Sequence, residues 1–196
     1  MRLLFICNEY PPTVHGGVGT FVYTLARQLV RRGHEVHVIG FDSQVVTSQS
    51  ASEEGVNVLR LRSPLVNKRC LQWGSYDIAR QVLERVYLST QVKEYCRSQN
   101  IDLVESYDWS GPLWYHPGVP LLVRMHGAHS AHALYENRRS PIFLSYIEKK
   151  NLRMADALVG VSQHISQLTL CAAGLEEHPY TVIYNGVDTS VFCRLE

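Results

Sequence analysis

Short apolar runs alternate along the whole chain with stretches of helical period, and that alternation leaves few architectures open. Leu3-Leu4-Phe5-Ile6-Cys7 has the unbroken apolar character of a strand buried on both faces. After a polar, glycine-rich loop, Val18, Phe21, Val22, Leu25, Ala26, Leu29 and Val30 recur at helical spacing and form one apolar face. Arg31-Arg32-Gly33 closes that helix with cations at its negative end and a glycine suited to a left-handed cap. Further strands are predicted at Glu35–Gly40, Val56–Leu61, Ile101–Glu105, Val119–Met125, Ala157–Val161 and Thr181–Tyr184. Helices are predicted over Tyr76–Gln99, with a stripe of Ile78, Val82, Leu83 and Val86, and from Pro141 to Arg153. A third runs from a Ser162 cap through Ala173. Phe41–Gly55 carries neither signal, and Arg62–Ser75 is the least regular stretch. The pattern specifies an α/β fold, a doubly wound, mostly parallel sheet with helices on both faces.

In such a sheet, ligands bind at the carboxyl ends of the strands. The first loop, Asn8 to Gly19, lies at such an end and opens a helix. Gly16, Gly17 and Gly19 let a ligand approach the backbone, and the first helical N–H groups lack internal partners. An anion or a sugar hydroxyl is favoured there, although a strand-to-helix turn without any ligand has the same outline. The spacing is not G-x-G-x-x-G, so the dinucleotide fingerprint is absent.

Bulk properties narrow the classes. With 196 residues, 45% hydrophobic and 19% charged, the chain is long enough for one well-cored domain. A net charge of +1 gives no support for nucleic acid or an acidic membrane surface as the main partner. Cys7, Cys70, Cys96, Cys171 and Cys193 are scattered without metal-ligand spacing, which fits reduced thiols in a cytoplasmic protein. No stretch approaches the length of a membrane span or a signal peptide.

Several side chains invite chemistry. His126, His129 and His132 have an H-x-x-H-x-x-H spacing, but on a regular helix the outer two point about 120° apart. No metal site is expected from them, since no familiar zinc spacing accompanies the series. His126 at a strand's carboxyl end is the better candidate, placed to face the crevice beside Gly16 and Gly17, or else a satisfied structural histidine. Glu105 and Asp108 are the paired carboxylates nearest the crevice, suited to base chemistry or sugar hydrogen bonds, with Trp109 as an apolar platform. Simple loop solvation is the alternative for all three. Arg60, Arg62, Lys68 and Arg69 suit a phosphorylated or acidic acceptor, or a solvated face. Walker, nucleophile-elbow and Ser-His-Asp patterns are missing.

Several segments stand out in order: Leu3–Pro12 with His15-Gly16-Gly17, then Leu25-Ala26 through Gly33-His34 to Val36, and Pro120–Gly127, whose strand runs into His126. Ala155–Ser162 and Val182-Ile183-Tyr184-Asn185-Gly186-Val187-Asp188 with Phe192 complete the set. Together, in this order, they resemble the N-terminal half of the group-1 (family 4) retaining glycosyltransferases. The resemblance implies a GT-B enzyme of two Rossmann-like domains facing across a cleft, of which residues 1–194 are the acceptor-side one. The C-terminal nucleotide-sugar domain, with its phosphate-binding Arg and Lys, is not in this sequence. Leu195-Glu196 resembles a pair contributed by an expression vector.

On the resemblance, Gly16, Gly17 and Val18 contact the donor diphosphate or acceptor, and His126 hydrogen-bonds the transferred sugar as the catalytic residue. His15, Glu105, Asp108 and Trp109 bind acceptor, while Asn185, Gly186 and Asp188 mark the interdomain crossing. Many relatives carry histidines where Glu105 and Tyr107 stand, which leaves the acceptor open. The expected reaction moves a sugar from a nucleoside-diphosphate sugar to an acceptor hydroxyl with retention. It needs no cofactor, and the isolated domain is expected to be inactive. A stand-alone sugar- or anion-binding module and a GT-B-like epimerase or phosphorylase half are the other readings.

Overall fold

A computed structural model describes residues 1–12, 16–65 and 75–187. The strands are β1 (Arg2–Ile6), β2 (Glu35–Phe41), β3 (Gln49–Glu53), β4 (Val56–Leu61), β5 (Leu103–Tyr107), β6 (Leu121–Met125), β7 (Ala157–Gly160) and β8 (Thr181–Val182). The helices are α1 (Gly17–Arg31), α2 (Ser75–Gln99), α3 (His129–Tyr135), α4 (Ile142–Met154) and α5 (Gln163–Ala173). All strands join one sheet in the order β3-β4-β2-β1-β5-β6-β7-β8, parallel except for β3 against β4. The doubly wound expectation holds.

The sheet separates two apolar layers. On one face Leu3, Phe5, Val36, Val38, Val56 and Val58 pack against Val22 and Ala26 of α1. On the other, Leu4, Ile6, Ile39, Val104 and Val123 meet Leu88 and Val92 of α2, Leu152 of α4 and Leu170 of α5. Alternating inward residues on β1 supply both layers, as the pleat requires. Close packing of β1 on β2 depends on Gly40, where a Cβ would stand 1.9 Å from the Cys7 carbonyl oxygen.

Helix ends follow local chemistry. Gly33 at φ 82° caps α1, and the Ser162 hydroxyl accepts the Ile165 N–H at 3.2 Å to start α5. The stripe expected on α2 is displaced toward its C-terminus. Ile78 and Leu83 are exposed, and the buried face is Leu88, Ser89, Val92 and Cys96. A 25-residue helix is about 37 Å long against about 20 Å for a strand, so its first turns overhang the sheet.

Several strands depart from expectation, β6 among them, which begins at Leu121 rather than Val119. The stretch 41–55 contains β3, an exposed edge strand whose hairpin turns at Glu54 (φ 50°) and Gly55 (φ 85°). The fourth expected strand begins at Leu103 rather than Ile101 and continues through Tyr107, so the loop that carries Trp109 starts only at Asp108. The last strand stops at Val182; the Ile183 N–H makes one more bond, to the Gly160 carbonyl at 3.0 Å, before the chain runs on outside the sheet. Among the described residues no helix is long and apolar enough to cross a membrane.

Candidate active site

The chain fills the sheet on one side of β1 with β2, β4 and β3, then returns to the other side with β5 and continues outward. Strand order therefore reverses between β1 and β5, and the crevice opens outside their carboxyl ends. Asn8, just past β1, ties this point together. Its amide donates to the Tyr107 hydroxyl at the end of β5 (3.1 Å), and its oxygen accepts the Phe41 N–H at the end of β2 (2.8 Å).

On the β1 side, Gly16 caps α1 without a side-chain cap, and nothing lies within 4 Å of a Cβ built at Gly17. The first N–H groups of α1 lack a side-chain cap from Gly16, the arrangement that favours an anion or hydroxyl. Glu9 already uses part of this character, its carboxylate accepting the Gly16 N–H at 3.1 Å. Val18 turns its side chain into the α1-side apolar layer and offers a ligand only its amide. His15, Lys68, Arg69 and Asp188 lie outside the described residues.

Arg60 departs from its expected role. It is 8% exposed, holds Glu53 at 2.6 Å and Asp42 at 3.5 Å, and donates to the Pro11 carbonyl at 2.6 Å. It anchors the approach to the glycine loop and is not an open cation for an acidic acceptor. Arg62 donates to the Val46 carbonyl.

On the β6 side, His126 follows the strand directly, as expected. Its ring meets Phe21 of α1 edge-on at 5.0 Å, so the helix that begins at the glycines also holds the histidine. Burial, reinforced by the Arg124 guanidinium, pushes the imidazole down to about 4. At neutral pH it is uncharged, with one nitrogen donating and the other accepting, a pairing suited to a sugar hydroxyl.

Glu105 and Asp108 are brought near the crevice but are engaged within the protein. Glu105 stands within β5, short of its end, and binds the Arg124 guanidinium at 2.6 Å, beneath the Phe21 ring. Asp108 is fully buried, its two oxygens accepting the His126 N–H at 3.0 Å and the Gly127 N–H at 3.1 Å. In this geometry it aims the histidine segment, with no oxygen at the surface for an acceptor. Burial lifts its carboxyl to about 7 against the pull of those two bonds.

Trp109 is 43% exposed and stands edge-on to His129 at 5.7 Å and His132 at 5.6 Å. The three histidines thus serve different neighbours, His126 toward Phe21 and the other two toward the indole. Among the described residues, no group of three His, Cys, Asp or Glu side chains gathers around a point where an ion would sit. Asn185 and Gly186 are exposed beyond β8.

Sequence reasoning missed α3 and two buried polar residues of α4, Glu148 and Asn151, that hold the Trp109 loop. A small, half-open pocket beside the crevice, lined by Asn8, Tyr10, Asp42 and Arg60, holds about 10 Å³, room for no more than a water molecule.

The family model described as Glycosyltransferase Family 4 matches residues 15–191. The chain belongs to that family. Among curated proteins it is 28% identical to a glycogen synthase of Mycobacterium tuberculosis, over 97% of this chain and 49% of that protein. It is 26% identical to an uncharacterized glycosyltransferase of Methanocaldococcus jannaschii, over 96% of this chain and 47% of that one. The chain therefore spans about half the length of the curated relatives it matches.

Solved structures agree on the fold. A sucrose-phosphate synthase from Thermosynechococcus elongatus superimposes with a TM-score of 0.72 at 14% identity, over 99% of this chain and 50% of that one. The catalytic domain of starch synthase IV from Arabidopsis thaliana, solved with ADP and acarbose, gives 0.60 at 17%, over 96% and 52%. The sheet of this family member is a GT-B-type Rossmann-like domain.

Proposed function

We propose that this chain is the acceptor-side half of an enzyme that transfers a glycosyl group from a nucleoside-diphosphate sugar to an acceptor hydroxyl with retention at the anomeric carbon. The observation that carries the reading is the convergence at the switch point of the open N-terminus of α1 and an uncharged His126, joined through Phe21. The Gly16–Gly17 end faces the diphosphate or an acceptor oxygen. His126 hydrogen-bonds the sugar in transfer, and Trp109 offers a pyranose an apolar surface. Glu105 and Asp108 act from behind, through Arg124 and the His126 backbone.

The length of the relatives, about twice that of this chain, supports a second domain as the other wall of a cleft, entered through the Asn185-Gly186 segment and carrying most of the nucleotide site. Positioning and electrostatic stabilisation both need a closed cleft, so the chain alone is expected to be inactive. Transfer from UDP-, ADP- and GDP-glucose, measured for this chain and for the complete product of its gene, tests the reading. The complete product is expected to give an α-linked glycoside and the chain none. Equal rates, or a β-linked product, would overturn it.

A further inference from the structure

Two segments of the crevice wall meet on one side chain. Glu148, in α4, is fully buried. Its Oε1 accepts the Ser110 N–H at 2.9 Å and the His129 N–H at 2.8 Å, and its Oε2 accepts the Ser130 N–H at 3.0 Å. One carboxylate thus joins the loop after β5 to the start of α3. Trp109 lies between these anchors, its indole against His129 and His132.

The loop needs such a restraint. Ser110 sits at φ 57°, in the left-handed region that a residue with a side chain seldom adopts. Arg85 of α2 holds the same residue from its other end, donating to the Ser110 carbonyl at 2.6 Å.

We propose that Glu148 is a positioning residue of the active site: it fixes the Trp109 indole relative to His129 and His132, so that the aromatic wall meets a sugar ring already ordered. The proposal rests on the reading of the crevice as a glycosyl-transfer site. Its geometric part stands apart from that reading, because the restraint operates with no ligand present. Pre-ordering matters because a platform that must be ordered on binding loses affinity to the entropy of fixing it.

The test uses the chain with 5-fluorotryptophan, the Trp109 and Trp114 resonances being assigned from W109F and W114F. Glu148→Gln places an N–H2 where one of the two oxygens stood, so at least one backbone N–H faces a donor. In E148Q the Trp109 line is expected to shift or broaden, while the Trp114 line, whose backbone N–H is held by Ser89, stays in place. Affinity for maltose, used as a pyranose probe, is expected to fall at least five-fold. The control is I101V, matched to E148Q in stability with added urea, because Ile101 is buried in the core away from the loop.

A Trp109 line unchanged in E148Q, or moved equally in I101V, overturns the proposal. Should E148Q not fold, hydrogen exchange of the parent chain decides instead. Ser110, His129 and Ser130 amides exchanging as slowly as core strands support it, and fast exchange overturns it. A displaced Trp109 line with no maltose binding even by the parent chain leaves the positioning intact and overturns the sugar-site reading.

Discussion

Asp108 and His126 are bonded neighbours whose proton equilibria are displaced in opposite senses, and replacing one should uncover the other. Asp108 is raised from 3.8 to about 7, chiefly by burial. Between those values the folded chain binds a proton that the unfolded chain has released, so stability falls as pH rises. The slope approaches about 1.4 kcal/mol per pH unit and totals about 4 kcal/mol. His126 is lowered from 6.5 to about 4, again chiefly by burial. There the unfolded chain binds the extra proton, so stability rises with pH across that window, by about 3 kcal/mol. The two slopes oppose each other between about pH 4 and 6.5, and their sum there is nearly flat.

Asp108→Asn keeps the shape but sets an N–H2 against one backbone N–H, a pH-independent penalty of about 1–3 kcal/mol. At pH 4, where Asp108 is already neutral, D108N should be less stable than the parent by that amount. At pH 7.5 the parent carries an ionised buried carboxylate, and D108N should match or exceed it. Urea unfolding followed by circular dichroism at half-unit pH steps measures the difference. His37 is also lowered by burial, but it is present in both proteins and cancels. A D108N penalty that stays constant from pH 4 to 7.5 would refute the reasoning.

Arg60→Met should destabilise the chain by about 3–5 kcal/mol in chemical denaturation, because it leaves the buried Asp42 carboxylate and the Pro11 carbonyl without their cation. Gly17→Ala meets no atom within 4 Å, so stability should hold or rise by up to about 1 kcal/mol while affinity for inorganic diphosphate drops in calorimetry. Gly40→Ala presses on the Cys7 carbonyl and should cost more than about 4 kcal/mol, seen as loss of cooperative unfolding. Ser162→Ala removes the cap of α5 and should cost about 1 kcal/mol by the same measurement.

What the sequence disclosed depended on whether the cause was local. The inner strands are continuous apolar runs because helices or loops cover them, and β1, β2, β4 and β7 lie close to where those runs fall. Strand β3 was hidden because an exposed edge strand needs no apolar residue. Its turn, Glu54-Gly55, has positive φ at both residues as a tight hairpin requires, but Glu in place of the usual Asn or Asp leaves only the glycine as a signal. The α2 stripe was misplaced since periodicity gives the apolar residues of a helix but not which turns rest on the sheet. Helix α3 is short, and the histidine spacing, weighed as a ligand series and set aside on helical geometry, gave no apolar stripe to mark it. His126 was legible from its place at a strand end, whereas the engagement of Asp108 with two backbone amides depends on where β6 lies in space. Glu148 was opaque for the same reason, a carboxylate beside Lys149 and Lys150 looking like any solvent-facing turn.

The two halves of the crevice are built on different principles, and the difference bears on how a ligand is received. Around Trp109 the backbone is gripped by acidic and basic side chains that bond to peptide groups, the buried Asp108 and Glu148 and the half-buried Arg85. Apolar replacements would pack as well but would orphan those donors and acceptors, so the grip explains why charges are tolerated there. Around α1 the opposite holds. The helix starts at Gly16 without a side-chain cap, no described atom lies within 4 Å of a Cβ at Gly17, and among the described residues the exposed Glu9 carboxylate accepts the Gly16 N–H. On the proposed reading, a diphosphate arriving there would displace the Glu9 side chain rather than rearrange backbone. On that reading the Trp109 wall would set which ring is accepted, and the α1 end would set when the anion enters.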